Sequence, residues 1–289
     1  MLPAVSIGIA YFNPGSSLEM AIQSVFAQTF QDWELILVDD GSTDHSTSFI
    51  QSIKDSRVRY FCDGFHRRLQ YRLNEITALA RAPYLFRMDA DDIMHPERIA
   101  LQLAELRNSP VNTVLGTGAY SIDEASQILG MRRLSHHTSM GYSFIHPSVA
   151  ANIEWWRANP YSQEPWYYRA EDAELWGRTA SHTNFRYMPE PLLFYREHGP
   201  SSLEKYLGTA IGLVSIFYQR RHNKRSLYLK CIALEISKIW TMCVVEETPL
   251  KEKVIKKRFR SLTDCEMACA QKALDNVMKT PIPTITLEE

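Results

Sequence analysis

Tyr84-Leu85-Phe86-Arg87-Met88-Asp89-Ala90-Asp91-Asp92 is the stretch on which the rest of the chain turns. Pro83 breaks the backbone before it, and the apolar run has the length and composition of a buried strand. Three carboxylates at the tip of such a strand repel one another and lose hydration, a cost that a cation between them removes. Oxygen-only ligands suit Mg²⁺ or Mn²⁺ rather than a zinc-type site. A divalent ion held by one or two carboxylates keeps open positions, and a diphosphate fills them. The same residues also fit a polar turn in which Asp92 or a neighbour caps the next helix.

Working outward, the first half alternates strand and helix patterns. Val5 to Ala10, Trp33 to Val38, Val58 to Phe61, Tyr84 to Met88 and Thr113 to Leu115 read as strands. Between them, helices are expected from Ser16 or Ser17 to about Ala27, from Ser42–Asp44 to about Ile53, over Leu69 to Ala80, and after Pro96, with Ile99, Leu103 and Leu106 inward. Continuous apolar strands alternating with helices predict an α/β fold: a mostly parallel central sheet flanked by helices. Ligands of such sheets bind beyond the carboxyl ends of the strands. Two strand ends finish in acids, Asp39-Asp40 and Asp89 to Asp92, so both belong to that edge.

A net charge of −1 over 289 residues gives no case for nucleic acid. Five cysteines without framework spacing predict reduced thiols and a cytoplasmic chain. The first residues lack the basic and apolar regions of a signal peptide. The most apolar later stretch, Cys231 to Val245, is interrupted by Glu235 and Lys238, so no membrane span is expected. From about Leu129 to Tyr195 aromatics crowd in, including Trp155, Trp156, Tyr161, Trp166, Tyr167, Tyr168 and Trp176. They serve equally as sugar-stacking surfaces or as core. Beyond Ser201 the pattern is helical and basic to about Lys279, followed by an extended or flexible tail. The cluster from Lys251 to Arg260 suits an anionic membrane surface at the inner face of the plasma membrane, a lipid-diphosphate acceptor, a solvated bundle face or a homodimer contact.

Three pieces in this order resemble an inverting glycosyltransferase of family 2, whose fold is GT-A. They are Val5-Ser6-Ile7-Gly8-Ile9 with Phe12-Asn13 and Trp33 to Asp44; Arg87 to Asp92 with Pro96 and Arg98; and Ala170-Glu171-Asp172 with Leu175-Trp176, then Phe194-Tyr195-Arg196-Glu197-His198. The resemblance covers about residues 4 to 202. It implies a GT-A domain over 1–202, with a nucleotide-binding half to about 118 and an acceptor-binding half over 119–202, followed by a helical region over 203–289. It implies that Asp40 or Asp39 accepts a hydrogen bond from the uracil of a UDP-sugar, with Ala10 and Phe12 beside the base. Asp89, Ala90 and Asp91 would face ribose, phosphates and metal, with Asp91 the main ligand of Mn²⁺ or Mg²⁺ and Asp92 behind them. His198 would reach metal or pyrophosphate, and His146, Glu171 and Trp176 the sugars. Asp172 would be the base that deprotonates the acceptor hydroxyl, with Glu171 as its competitor.

The chain departs from the family where many members carry Ala-Arg-Asn. Here Arg72-Leu73-Asn74 stands, so the nucleotide contact falls to Arg72 or Arg68. The Gln-x-x-Arg-Trp motif and membrane helices of processive members are missing from the sequence, which implies one sugar per event. The implied acceptor is a saccharide, free or lipid-linked, in polysaccharide or lipopolysaccharide assembly. A sugar-phosphate nucleotidyltransferase would need a glycine-rich, arginine-bearing loop after the first strand, where Tyr11-Phe12-Asn13-Pro14-Gly15 stands instead. A non-catalytic nucleotide-sugar-binding module would have no use for Asp172.

Overall fold

The computed structural model describes residues 2–44, 46–133, 137–138, 141–142, 144–197, 203–219 and 258–284, with isolated helical positions between 229 and 240. The first half follows the predicted alternation: β1 (Val5–Tyr11), α1 (Ser17–Phe26), β2 (Trp33–Asp39), α2 (Ser46–Ser52), β3 (Val58–Cys62), α3 (Leu69–Leu79) and β4 (Tyr84–Asp89). Then come β5 (Ile93–Met94), α4 (Arg98–Arg107), β6 (Thr113–Ile122), β7 (Ile128–Arg132), the small pair β8 (His137–Thr138) and β9 (Gly141–Tyr142), β10 (Ala150–Asn152) and α5 (Ile153–Ala158). The chain continues through α6 (Glu171–Thr179), β11 (Asn184–Arg196) and α7 (Leu203–Gln219) to β12 (Phe259–Arg260) and α8 (Asp264–Met278), the last helix described.

Among the described residues, ten strands form one sheet, with main order β12-β7-β6-β10-β4-β1-β2-β3. From β3 to β4 it is parallel, as the sequence pattern predicts. β10 then inserts antiparallel between β4 and β6, and β7 and β12 extend the edge antiparallel. Along the main order the parallel pairs are therefore those of the first four strands, and β11 adds a parallel partner to β6 off that path. The reason is topological: β10 reaches the sheet from the opposite direction through the His146-Pro147-Ser148 turn, without a crossover helix. Because β10 lies between β4 and β6, the two expected halves share one sheet, and the division near residue 118 falls inside β6.

β11 runs parallel to β6 but shifts register between Met188 and Pro191 and again between Pro191 and Phe194. Pro189 and Pro191 cannot donate to a ladder, so the strand bends there. Its far end pairs with β5 and carries Arg196 to the loop after β4.

In the C-terminal region, residues 258–284 are described against the main core. Thr263 and Glu266 close a capping box at the start of α8. The inner face of α8, Ala270, Ala273, Leu274 and Val277, packs with Ile93, Tyr120, Ile122 and Phe194. Beyond it, Gln23 Nε2 donates to the Thr280 carbonyl (2.7 Å), Lys54 N–H donates to the Pro283 carbonyl (2.7 Å), and Thr284 bridges Ile53. Sequence periodicity shows that α8 has an apolar face but not which surface receives it. Leu274→Ala is expected to destabilise the whole fold by about 2–5 kcal/mol. Thermal melting of the full chain measures this; an unchanged Tm would mean that α8 is not part of the cooperative core.

Candidate active site

The carboxyl end of β4 carries the acids quoted first. One carboxylate oxygen from each of Asp89, Asp91 and Asp92 lies within 4.8 Å of the others. Asp89 and Asp91 are half-buried and line a cleft of about 420 Å³, whereas Asp92 is 1% exposed. The backbone N–H of Arg196 donates to Asp92 Oδ1 (2.8 Å), while Oδ2 has no hydrogen-bond partner. Burial, then the charges of Asp91 and Asp89, push the Asp92 carboxyl well above the usual carboxylate range. A hard-oxygen set with one orphaned oxygen fits a divalent cation such as Mg²⁺ or Mn²⁺. Asp89 and Asp91 would hold it from the cleft side, with Asp92 behind.

Polar residues fix this strand end from beneath. Arg98 is fully buried; its Nη2 donates to the Arg87 carbonyl (2.9 Å) and its Nε to Gln102 Oε1 (2.9 Å). Gln102 Nε2 in turn donates to the carbonyls of Leu115 and Ser148 (both 3.0 Å). One helix face thus ties β4, β6 and the turn bearing His146 together. Arg196 Nε donates to the Asp91 carbonyl (2.7 Å), which fixes the loop from the other side.

Glu171 and Asp172 face the same cleft from the first turn of α6. Ala170 cannot cap that helix, and the acids of the first turn stand at its positive end instead. Asp172 Oδ1 accepts from the Ala173 backbone N–H (2.7 Å). Burial raises the Asp172 carboxyl; burial and the neighbouring Asp172 push Glu171 up to about 7. His146 Nδ1 lies 3.8 Å from Glu171 Oε1, and its Nε2 shares a 2.7 Å hydrogen bond with the Tyr161 hydroxyl. Burial, then the charge of Arg87, hold the imidazole well below its ordinary pKa, so it is neutral at pH 7.

Arg87 lies between the two acid groups. Its side chain lies on the same strand face as that of Asp89, and its Nη2 donates to Asp89 Oδ1 (2.9 Å). Nε and Nη1 are buried without partners, and its charge opposes ionisation penalties at Asp92, Glu171 and Asp172.

Glu171 holds a proton more tightly folded than unfolded, where it titrates near 4.5. Its contribution to stability is therefore complete below that value and is lost as pH rises toward about 7. Glu171→Gln should flatten the fall in Tm between those two pH values; an unchanged slope would exclude Glu171 as its source.

A second compartment of about 210 Å³ adjoins the first, and Leu69, Arg169 and Glu171 line both. Ala10, Phe12, Asp40 and His66 form its wall. Phe12, 47% exposed, packs against the His66 ring at 4.3 Å. Asp40 accepts from the backbone N–H groups of Arg67 (2.7 Å) and Arg68 (3.0 Å) and from Arg72 Nε (2.8 Å). His66 Nδ1, 2.9 Å from Asp40 Oδ2, belongs to the most exposed of these partners. Asp39 lies behind, accepting from the Ser42 N–H (2.7 Å) and from the Thr47 and Tyr60 hydroxyls (both 3.2 Å). It caps the turn and does not line the compartment.

Other expected residues also take different places. The guanidinium of Arg72 is engaged by Asp40, Asp63, Glu75 and the Phe65 carbonyl, and the residue also lines the second compartment. Trp176 is buried among Phe144, Trp155 and Phe185 and packs edge-on against His146, because the inner face of α6 turns toward the core. Trp155, Trp156, Tyr161 and Tyr167 are likewise buried, which favours the core reading of most of the aromatic run. Ala90 is half-buried against the core between the two cleft acids. His198, Ser201 and Ser202 lie outside the described residues, as do Lys251, Lys253, Lys256 and Lys257.

Three arginines went unassigned in the sequence reading. Arg87 had a signal, a charge inside an apolar strand two residues before an acid. Arg132, stacked 4.4 Å from the Tyr195 ring centroid and paired with buried Glu197, lines the cleft opposite and had none. Arg169 stacks on one side of Tyr168 at 4.9 Å, and Arg68 lies over the same ring at 5.1 Å. Both have positive φ, 73° at Arg68 and 82° at Arg169, a conformation that costs non-glycine residues energy and gathers at ligand clamps. Neither has a carboxylate partner among the described residues.

Comparison with known proteins places this geometry in context. The family described as "Glycosyl transferase family 2" matches residues 6–172. EpsE of Bacillus subtilis (strain 168) is 29% identical over 184 residues, 61% of this chain and 66% of its own length. An uncharacterized glycosyltransferase of Haemophilus influenzae is 26% identical over 221 residues, 71% of this chain and 68% of its own. The chain thus spans about two thirds of the length of these relatives. Among solved structures, S. aureus TarS 1–349 in complex with UDP-GlcNAc aligns with a TM-score of 0.60 at 13% identity, over 97% of this chain and 82% of that one. The mannosyltransferase PcManGT from Pyrobaculum calidifontis, in complex with GDP-Man and Mn2+, aligns with a TM-score of 0.57 at 12% identity, over 96% and 86%. At these identities the likeness is one of fold, and it fits the curled mixed sheet described above.

Proposed function

Since this chain belongs to glycosyl transferase family 2, we propose that it transfers one sugar from a nucleoside-diphosphate sugar to a saccharide hydroxyl, with inversion at the anomeric carbon. The observation that carries the reading is the shared cleft: Asp89 and Asp91 on one wall, Asp172 on another, and a nucleobase-sized compartment next to them. Inversion needs one base and a stabilised leaving group. Asp172 takes the acceptor proton as that oxygen bonds to the anomeric carbon, and the bond to the diphosphate oxygen breaks with its electron pair leaving on the diphosphate. A divalent cation held by Asp89 and Asp91 would neutralise the charge gathering there. Complexes of fold neighbours with UDP-GlcNAc, and with GDP-Man and Mn2+, support a metal-assisted donor site and favour UDP as the first nucleotide to test.

In this reading the base lies on Phe12, and its imide N–H takes the place of His66 on Asp40. The diphosphate passes Arg68 and Arg169 on its way to the acids, and these two guanidinium groups bind it. The acceptor enters on the side of Arg132, His146 and Thr209. Exposed free thiols at Cys62, Cys265 and Cys269 support a reducing, cytoplasmic setting. No helix among the described residues is long and apolar enough to cross a membrane.

Titration calorimetry against a panel of nucleotide-sugars with and without Mn²⁺, followed by NMR of the product's anomeric configuration, tests the proposal. Retention of configuration, or no binding of any donor, would refute it. Arg169→Gln is expected to weaken UDP about tenfold and leave uridine unaffected; equal losses for both ligands would take Arg169 off the diphosphate.

A further inference from the structure

The arginines of the site are divided unequally between its two compartments. Arg68 and Arg169 line the base compartment, and Arg169 borders the larger cleft as well. Arg87 is held by Asp89. Arg132 lines the larger cleft but not the base compartment. It ends β7, whose pairing with β6 shifts register between Ser121 and Ile122. Irregularities of this kind re-aim side chains beside active sites. The Arg132 guanidinium lies 4.4 Å from the ring centroid of Tyr195, which also lines the cleft. Buried Glu197 pairs with Arg132, accepts from Ser121 Oγ (2.9 Å) and lies 3.4 Å from Arg258 Nη1. One carboxylate thus serves two guanidinium groups and a hydroxyl, so it offsets only part of the Arg132 charge. The Arg132 side chain itself remains 25% exposed.

We infer that Arg132 anchors a second anion site in the cleft, one that receives an acid group, phosphate or carboxylate, carried by the acceptor. The inference rests on the proposed transfer, since it names the chemical class of that reaction's acceptor. Four carboxyl groups line the cleft, those of Asp89, Asp91, Glu171 and Asp172. An anionic substituent entering there is repelled unless a cation receives it. A guanidinium fork matches the oxygens of phosphate and carboxylate in pairs. The Tyr195 ring and the Glu197 carboxylate hold this one in place beforehand, so little freedom is lost when an anion binds. The donor diphosphate has its own cations in Arg68, Arg169 and the metal, which leaves Arg132 for a different group.

A purely structural ion pair does not account for the placement. Arg258 and Ser121 already serve the buried Glu197 carboxylate, whereas Arg132 brings its charge to the cleft wall. The other polar groups on the acceptor side carry no charge to compete with it: Thr209 has none, and the His146 imidazole is neutral at pH 7. Space is also provided. The cleft, at about 420 Å³, is twice the size of the base compartment at about 210 Å³, so a substituent of the acceptor fits beside the sugar of the donor.

Ligand-observed NMR on the full chain, saturated with UDP and Mg²⁺, tests the inference with matched probes: glycerol 3-phosphate, glycerate and glycerol. UDP occupies the donor site, so a second anion can bind only elsewhere. At least one acid is expected to bind where glycerol does not, and the tighter of the two names the group. Arg132→Gln should weaken that acid about tenfold or more while UDP affinity stays at the parent value. Arg132→Lys keeps the charge but loses the fork, and should cost about threefold. Circular-dichroism melting reports whether each variant keeps the parent fold. Should Arg132→Gln fail to fold, unchanged acid affinity in Arg132→Lys would overturn the inference. So would a parent that binds neither acid, or all three probes alike, or a well-folded Arg132→Gln that binds the acid as the parent does. A tenfold loss of UDP affinity in Arg132→Gln would overturn it too, by moving Arg132 to the donor diphosphate. Failure of UDP to bind the parent in calorimetry would instead overturn the transfer reading beneath it.

Discussion

Asp172→Asn should reduce sugar transfer by ~10²–10⁴-fold while leaving donor affinity close to that of the parent. The substitution is nearly isosteric, and Asn Oδ1 can still accept the Ala173 N–H that Asp172 accepts at 2.7 Å. The helix start is therefore preserved, and only the ability to take a proton is lost. Glu171 is the built-in control, since it lines the same cleft one residue away. Burial and Asp172 push it up to about 7, so below neutral pH it holds its proton. Glu171→Gln should cost far less in rate. Single-turnover transfer measured on both variants decides the matter: near-parent rates in Asp172→Asn with a collapse in Glu171→Gln would move the base to Glu171. Both carboxyls are raised, so kcat/KM of the parent should climb as pH increases toward 7 and the pair deprotonates.

Asp91→Ala is expected to abolish the metal-dependent part of UDP binding, a loss of roughly 100-fold in affinity at saturating Mn²⁺. Asp89 is held by Arg87 at 2.9 Å and Asp92 by the Arg196 N–H at 2.8 Å, so the remaining acids stay in place when Asp91 is removed. Calorimetry with UDP, with and without chelator, reads the effect directly. Uridine serves as the reference, because it occupies the Phe12 compartment without reaching the acids. UDP affinity that is insensitive to chelator in the parent, or equal in parent and variant, would refute the metal assignment.

The acids and the fold were legible for the same reason: both are local. A strand that ends in carboxylates announces itself by composition, and strand–helix alternation with period-3.6 helices leaves few arrangements for the first four strands. The partners of those acids were not legible. Arg72 stands where the family motif is broken and a nucleotide contact fell to it or to Arg68, and three carboxylates surround it in space. Asp39 and Asp40 are adjacent and chemically identical. Only the pairing of β2 with β3 brings Tyr60 to Asp39, and only the loop before α3 brings Arg67 and Arg68 to Asp40. Trp176 reads as an exposed sugar platform or as core with equal ease until the turn of α6 against Phe144 and Phe185 is known.

The C-terminal helix makes the same point about stability. Its capping box and apolar spacing are properties of about fifteen consecutive residues, and the sequence carries them in full. Its docking against Ile93, Tyr120 and Phe194 joins positions far apart in the chain. By itself, then, the sequence determined which segments are strands and helices, which strand ends are acidic and where charge gathers, because each depends on neighbours a few residues apart. Tertiary structure alone decided which carboxylate faces the cleft, which arginine is engaged and which remains available, and where the last helix rests. Those outcomes depend on burial and on partners that only folding brings within reach.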